Sequence, residues 1–142
     1  MDIIFVCRDA LENSVIANIG LALEAKKAGL DAGVLFTEEA LYALAGGESF
    51  RWSPLFQGRE ARVRISKNAT AMGLEVANRK DSRWTDLFRL LDLAKGKGVQ
   101  LVACPLWVQI LDLTGKIPSP LVSMEGEALL REIKGAKVIG GF

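Results

Sequence analysis

Gly98-Val99-Gln100-Leu101-Val102-Ala103-Cys104-Pro105 is the stretch on which the reading of this chain turns. The apolar run at 99–103 has the length and bounding residues of a buried strand. Pro105 then suits the first position of a helix, because its φ is already fixed near the helical value and its missing N–H is not needed there. Cys104 therefore stands at a strand-to-helix junction. A helix N-terminus carries partial positive charge and free N–H groups, which favour a thiolate over a thiol. Cys104 is accordingly the first candidate nucleophile, against the plainer reading of an inert cysteine filling a small apolar site.

Working outward, the pattern repeats. Ile3-Ile4-Phe5-Val6 is a short β-rich run closed by Cys7. Val15, Ile16, Ile19, Ala22 and Leu23 follow helical spacing, with Gly29 placed to end that helix. Gly33-Val34-Leu35-Phe36 makes a second strand, and Thr37 is placed to cap a helix with Glu38 and Glu39 in its first turn. Leu87, Leu90, Leu91 and Ala94 share one helical face, and a helix from Pro105 to about Leu113 follows the decisive strand. Leu121-Val122 reads as a short strand, Ser123 as the cap of a helix ended by Gly135, and Lys137-Val138-Ile139 as the fifth strand. Strands alternating with helices predict a parallel α/β sheet.

One domain, residues 1–142, accounts for the whole chain, with an irregular excursion at about 48–81. Phe50, Trp52, Leu55 and Phe56 lie there among Gly, Ser and Pro. A neighbouring subunit is the expected cover for these aromatics, with packing onto the chain's own domain as the alternative. A helix over about 66–77, weakened by Gly73, is expected within the same segment.

Net charge is +1, which supplies no general attraction to nucleic acid or anionic lipid. The mean hydropathy is positive, yet no uncharged apolar stretch is long enough to span a membrane. Charged residues follow the first strand at once, so the start of the chain does not read as a signal peptide. With two cysteines, the cytoplasm is the expected compartment, and its thiols would be buried or reactive rather than bridged. The chain has no histidine, which removes Ser-His and Cys-His machinery and most zinc sites. No metal or cofactor is expected. A general base would have to be a carboxylate, a lysine or water, and Asp9, Glu38, Glu39 and Glu125 all fall near strand-to-helix junctions.

Cys7 also ends a strand, so it shares the carboxyl edge of the sheet with Cys104. Were their strands neighbours, about 4.8 Å apart, Cys7 could act as an accessory, resolving thiol; otherwise it packs in the core. A tyrosine-phosphatase reading of the Cys7 loop fails. Asn13 stands where arginine would bind phosphate, and residues 8–12 contain no glycine while Asp9 and Glu12 repel an anion. The missing glycines likewise weaken an FMN or dinucleotide loop. Arg59, Arg62, Arg64 and Lys67 form a basic cluster, either a site for an acidic partner or, more commonly, a solvated face.

The order of elements resembles the DsrE/DsrF-like family, in particular its peroxiredoxin-like branch. The resemblance runs nearly end to end, through the opening strand, Ala28-Gly29, the segment Gly33-Val34-Leu35-Phe36-Thr37, the run from Gly98 to Cys104, Gly115, and Gly135-Ala136-Lys137-Val138-Ile139. It implies a three-layer α/β/α sandwich with a parallel five-stranded sheet (DsrE/flavodoxin-like) and a homo-oligomer, a trimer or hexamer. It also implies a sulfur-relay role in which Cys104 carries a persulfide between a sulfur donor and an acceptor protein. Pro105-Leu106-Trp107 departs from the smaller or more polar residues usual in that family, and Trp107 is bulky enough to shield the thiol. The alternative is a non-catalytic oligomeric binding or assembly module of the same fold.

Overall fold

The computed structural model describes residues 1–140. Five strands, β1 (Ile3–Cys7), β2 (Ala32–Phe36), β3 (Gln100–Ala103), β4 (Val122–Ser123) and β5 (Lys137–Ile139), form one sheet in the order β4-β3-β2-β1-β5. Every pairing is parallel. Helices α1 (Glu12–Lys27), α2 (Glu38–Leu44), α3 (Arg59–Ala71), α4 (Leu87–Gly96), α5 (Pro105–Ile110) and α6 (Gly126–Glu132) flank it, with a 3-10 turn at Pro54–Phe56. The architecture is the expected α/β/α sandwich.

Register explains the core. Phe5, Val34 and Leu101 lie in one row across β1, β2 and β3, and Cys7, Phe36 and Ala103 form the next. Alternate residues of a strand point to the same face, so these six share a face. They cluster with Val15 and Ile19 of α1 and with Leu87, Leu90, Leu91 and Ala94 of α4. The α4 stripe is fully buried, as its spacing requires. Asp86 caps that helix by accepting a 3.1 Å hydrogen bond from the Phe88 N–H. The opposite face of the sheet carries Ile4, Leu35, Val102, Val122 and Val138. Ile4 and Val102 are buried, but Val122 and Val138 on the edge strands are 47% and 61% exposed.

Three expectations are corrected. The helix expected over 66–77 is α3, which begins at Arg59 and ends at Ala71; Gly73 lies beyond it at φ +89 and terminates it rather than weakening its interior. Ser123 belongs to β4, and the α6 cap position falls to Glu125. Part of the aromatic excursion also packs onto its own domain. Trp52 is only 5% exposed within a single chain and Phe50 packs against the core, while Leu55 and Phe56 remain exposed.

Candidate functional site

Cys104 occupies the N-cap position of α5 with extended backbone, and Pro105 takes the first helical position. Its N–H donates to the Phe36 carbonyl at 2.9 Å, continuing the β2–β3 ladder one residue past the strand. The Cys104 carbonyl accepts from the Val108 N–H at 2.9 Å, which starts the helix. Both backbone groups are thus committed, and the side chain is left half-buried as a free thiol at the carboxyl edge of the sheet. Trp107 is itself half-buried and packs against the core, and Cys104 keeps partial access beside it. A 330 Å³ cleft opens between α5 and the β4–α6 junction, with Pro105, Val108, Ser123 and Glu125 in its wall; Cys104 itself does not line it.

Cys7 has a different environment. It is fully buried, and burial pushes its thiol up to about 12, with the Asp9 carboxylate adding to the effect. β2 lies between β1 and β3, so the condition for pairing the two thiols is not met. Two strand spacings put them roughly 10 Å apart, beyond disulfide reach. Cys7 is a core residue in this fold.

Two of the four carboxylates at the strand ends are paired. Glu38 lies 3.5 Å from Arg8, and Glu39 lies 4.0 Å from Arg51. Glu38 also has φ +51, a left-handed conformation unusual for a non-glycine residue. The Thr37 N–H to Cys7 and the Ala40 N–H to Arg8 bond the chain to the β1 loop on either side of it, and they hold this geometry in place.

A second group of polar residues gathers where no spacing in the sequence marks a site. The α1 cap position is Leu11, which has no side-chain oxygen to offer. Residue 51 supplies the missing acceptor from its backbone. The Glu12 N–H donates to the Arg51 carbonyl at 2.7 Å, and the Arg51 N–H donates to Ala10 at 3.0 Å. This docking brings Trp52 onto the start of α1, where the Ser53 N–H donates to Asn13 Oδ1 at 3.0 Å. From α3, Arg62 reaches the same place with its guanidinium 4.8 Å from the Trp84 ring centre, a cation–π distance. The Thr85 hydroxyl donates to Glu12 Oε1 at 2.6 Å. Burial raises the Glu12 carboxyl above its ordinary value, while Thr85, Arg62 and Trp52 pull it back toward the charged form. Of the basic cluster, Arg62 alone turns inward in this way. Arg59 and Lys67 are exposed, and Arg64 pairs with Glu60 at 3.8 Å on the helix surface.

No protein-family model matches the chain, and no curated protein is significantly similar to it. No helix among the described residues is long and apolar enough to cross a membrane, and no cluster of three or more acidic or cysteine side chains among them is placed to hold a metal ion.

Proposed function

We propose that the protein carries sulfane sulfur on Cys104, as the resemblance to DsrE/DsrF-like sulfur-relay proteins implies. The observation that supports this reading is the contrast between the two thiols. Cys104 is partly accessible at a strand-to-helix junction, on the sheet edge where ligand crevices of parallel α/β proteins lie, and Cys7 is sealed. The Cys104 thiolate attacks the outer sulfur of a donor persulfide. A new S–S bond forms to Cys104, the donor's S–S bond breaks, and the donor leaves as a thiolate. An acceptor thiolate then takes the outer sulfur by the same exchange and regenerates Cys104. The setting is the reducing cytoplasm, with donor and acceptor proteins as partners and a homo-oligomer as the working assembly.

The test is to expose the reduced protein to a persulfide donor and measure its intact mass. Gain of one sulfur atom, absent in Cys104→Ser and reversed by an acceptor thiol, is the expected result. No gain, or a gain that survives in Cys104→Ser, refutes the proposal.

A second reading, a non-catalytic assembly module, draws on the exposed Leu55, Leu106, Ile110 and Leu130 and on Val122 and Val138, exposed on the two edge strands. It predicts that Cys104→Ala leaves oligomeric state and partner binding intact while no sulfur is ever carried. A strictly monomeric protein by sedimentation would remove the assembly claim from both readings.

A further inference from the structure

Helix α1 is apolar on two sides. Val15, Ile19 and Ala22 are fully buried in the core, while Ile16 and Gly20 are half-buried and Leu21 is 41% exposed. A helix that stays apolar beyond its core-facing stripe has a second surface to cover. Here that flank lines a groove. A 420 Å³ cleft runs between Ile16, Gly20 and Leu21 of α1, Ile65 of α3, and Leu74. It continues into a 410 Å³ cleft walled by Leu23, Leu93 and the lysines at the ends of α1 and α4. Glu24, Met72 and Leu74 line both, so the two halves form one surface channel. Each half has the volume of a small-molecule site. A Cβ at Gly20 would lie 3.7 Å from Leu74 Cδ1, and its absence leaves the floor open.

Charge is spread unevenly along the channel. Toward α3, Arg64 pairs with Glu60 at 3.8 Å, and midway Glu24 pairs with Lys27 at 3.2 Å. At the far end stand Lys26 and Lys97, without a carboxylate partner among the described residues. Lys26 is half-buried, its Cε 3.4 Å from where a Gly98 Cβ would sit, so its stem lies across the turn between α4 and β3. Neither ammonium group is taken up as a helix cap. The last carbonyls of α1 accept from the N–H groups of Ala28, Gly29 and Leu30, and those of α4 from Lys97, Gly98 and Val99. An apolar channel that ends at two cations lacking a counter-charge complements an alkyl chain with one anionic head. Its apolar residues Ile16, Leu23 and Leu74 are recessed, which suits a single molecule taken from solution; contact with a lipid surface needs apolar side chains that project.

We propose that this groove binds a single-chain anionic amphiphile, in its simplest form a medium-chain carboxylate, with the alkyl chain between α1 and Leu74 and the carboxylate at Lys26 and Lys97. The proposal does not depend on sulfur transfer at Cys104.

The test uses protein labelled with carbon-13 at its methionine methyl groups. The chain has three methionines. Met72 lines both halves of the groove, Met1 packs at Gly33, and Met124 lies in the cleft beside α6. Sodium octanoate, added at constant ionic strength, should shift the Met72 resonance saturably and leave Met1 and Met124 unmoved as the internal check on folding. Hexanoate should bind several-fold more weakly, since a fully buried methylene is worth roughly fourfold in affinity. Acetate should give no saturable shift, and octyltrimethylammonium, with the same chain and the opposite charge, should bind about tenfold more weakly than octanoate. Lys26→Gln should weaken octanoate binding about tenfold and leave octanol binding as it was, with Lys97→Gln as a second variant of the same expected effect. Anionic phospholipid vesicles should not sediment the protein. The proposal is overturned if octanoate produces no saturable shift at Met72, if the cationic amphiphile binds as tightly, if both lysine variants bind octanoate as the parent does, or if vesicles are bound while octanoate is not.

Discussion

A native protein treated with a thiol-alkylating reagent should lose one cysteine quickly and keep the other. For Cys7 the suppression can be worked from its environment. With its thiol pushed up to about 12, the thiolate fraction at about pH 7.5 is ~3 × 10⁻⁵. An ordinary thiol with a pKa near 8.5 is about one-tenth ionised there, so the raised pKa by itself slows Cys7 by about three thousand-fold. Access adds a second factor, because a side chain with no exposed surface reacts only when the structure opens. For a domain of ordinary stability, 5–15 kcal/mol, global opening occupies less than about one part in a thousand of the population. Cys7 should therefore react on the timescale of unfolding and become visible in denaturant. The assay is iodoacetamide labelling followed by intact mass and peptide mapping, in buffer and in urea. One adduct on Cys104 in buffer and two in urea is the expected pattern. Comparable rates at both thiols in buffer, or labelling of Cys7 ahead of Cys104, would refute the argument that β1 is sealed within the core.

Two further outcomes follow from packing and charge. Leu90→Ala removes a fully buried side chain from the α1–α4 seam and should cost about 2–5 kcal/mol, read as a lower urea midpoint with little change in slope. For Glu12 the folded state holds its proton to higher pH than the unfolded chain does, because burial raises the carboxyl. Between those two values folding takes up a proton, so stability falls as pH rises through the window, starting from the ordinary glutamate value. Glu12→Gln should flatten that part of the stability profile, measured as urea midpoints from acid to neutral pH. A profile identical to the parent's would show that Glu12 does not titrate differently on folding.

An element is legible in the sequence where it buries an apolar stripe or where a residue such as proline fixes its end. Leu87, Leu90, Leu91 and Ala94 mark α4 because every one of them is buried. In α3 only Ser66 and Ala69 are buried, so there is no apolar stripe to set its limits, and its start at Arg59 went unseen. Pro105 placed Cys104 correctly because proline's constraint is local. Strand order is not local, and nothing in the chain announced that β2 would separate the two thiols. The cluster of Glu12, Trp52 and Arg62 shows the same limit. Glu12 was visible as a charge hostile to phosphate, Trp52 as an aromatic in a loop, and Arg62 as one of several basic residues. What joins them is the docking of residue 51 onto an uncapped helix start some forty positions earlier, an arrangement with no period. The missing side-chain cap at Leu11 was the one available hint.

The two margins of the sheet are its shortest strands, Val122–Ser123 on one side and Lys137–Ile139 on the other. A margin of two or three residues gives an arriving chain almost no ladder of N–H and C=O groups to extend, and the exposed Lys137 discourages the attempt further. Assembly by continuing the sheet from one molecule into the next is therefore disfavoured. Copies of this chain, or a partner, have to meet it through side chains, across surfaces such as those that leave Val122 open on one margin and Val138 on the other. Such a contact is set by shape and apolar area rather than by backbone pairing. It can be strengthened, weakened or redirected by single substitutions while the strands themselves stay as they are.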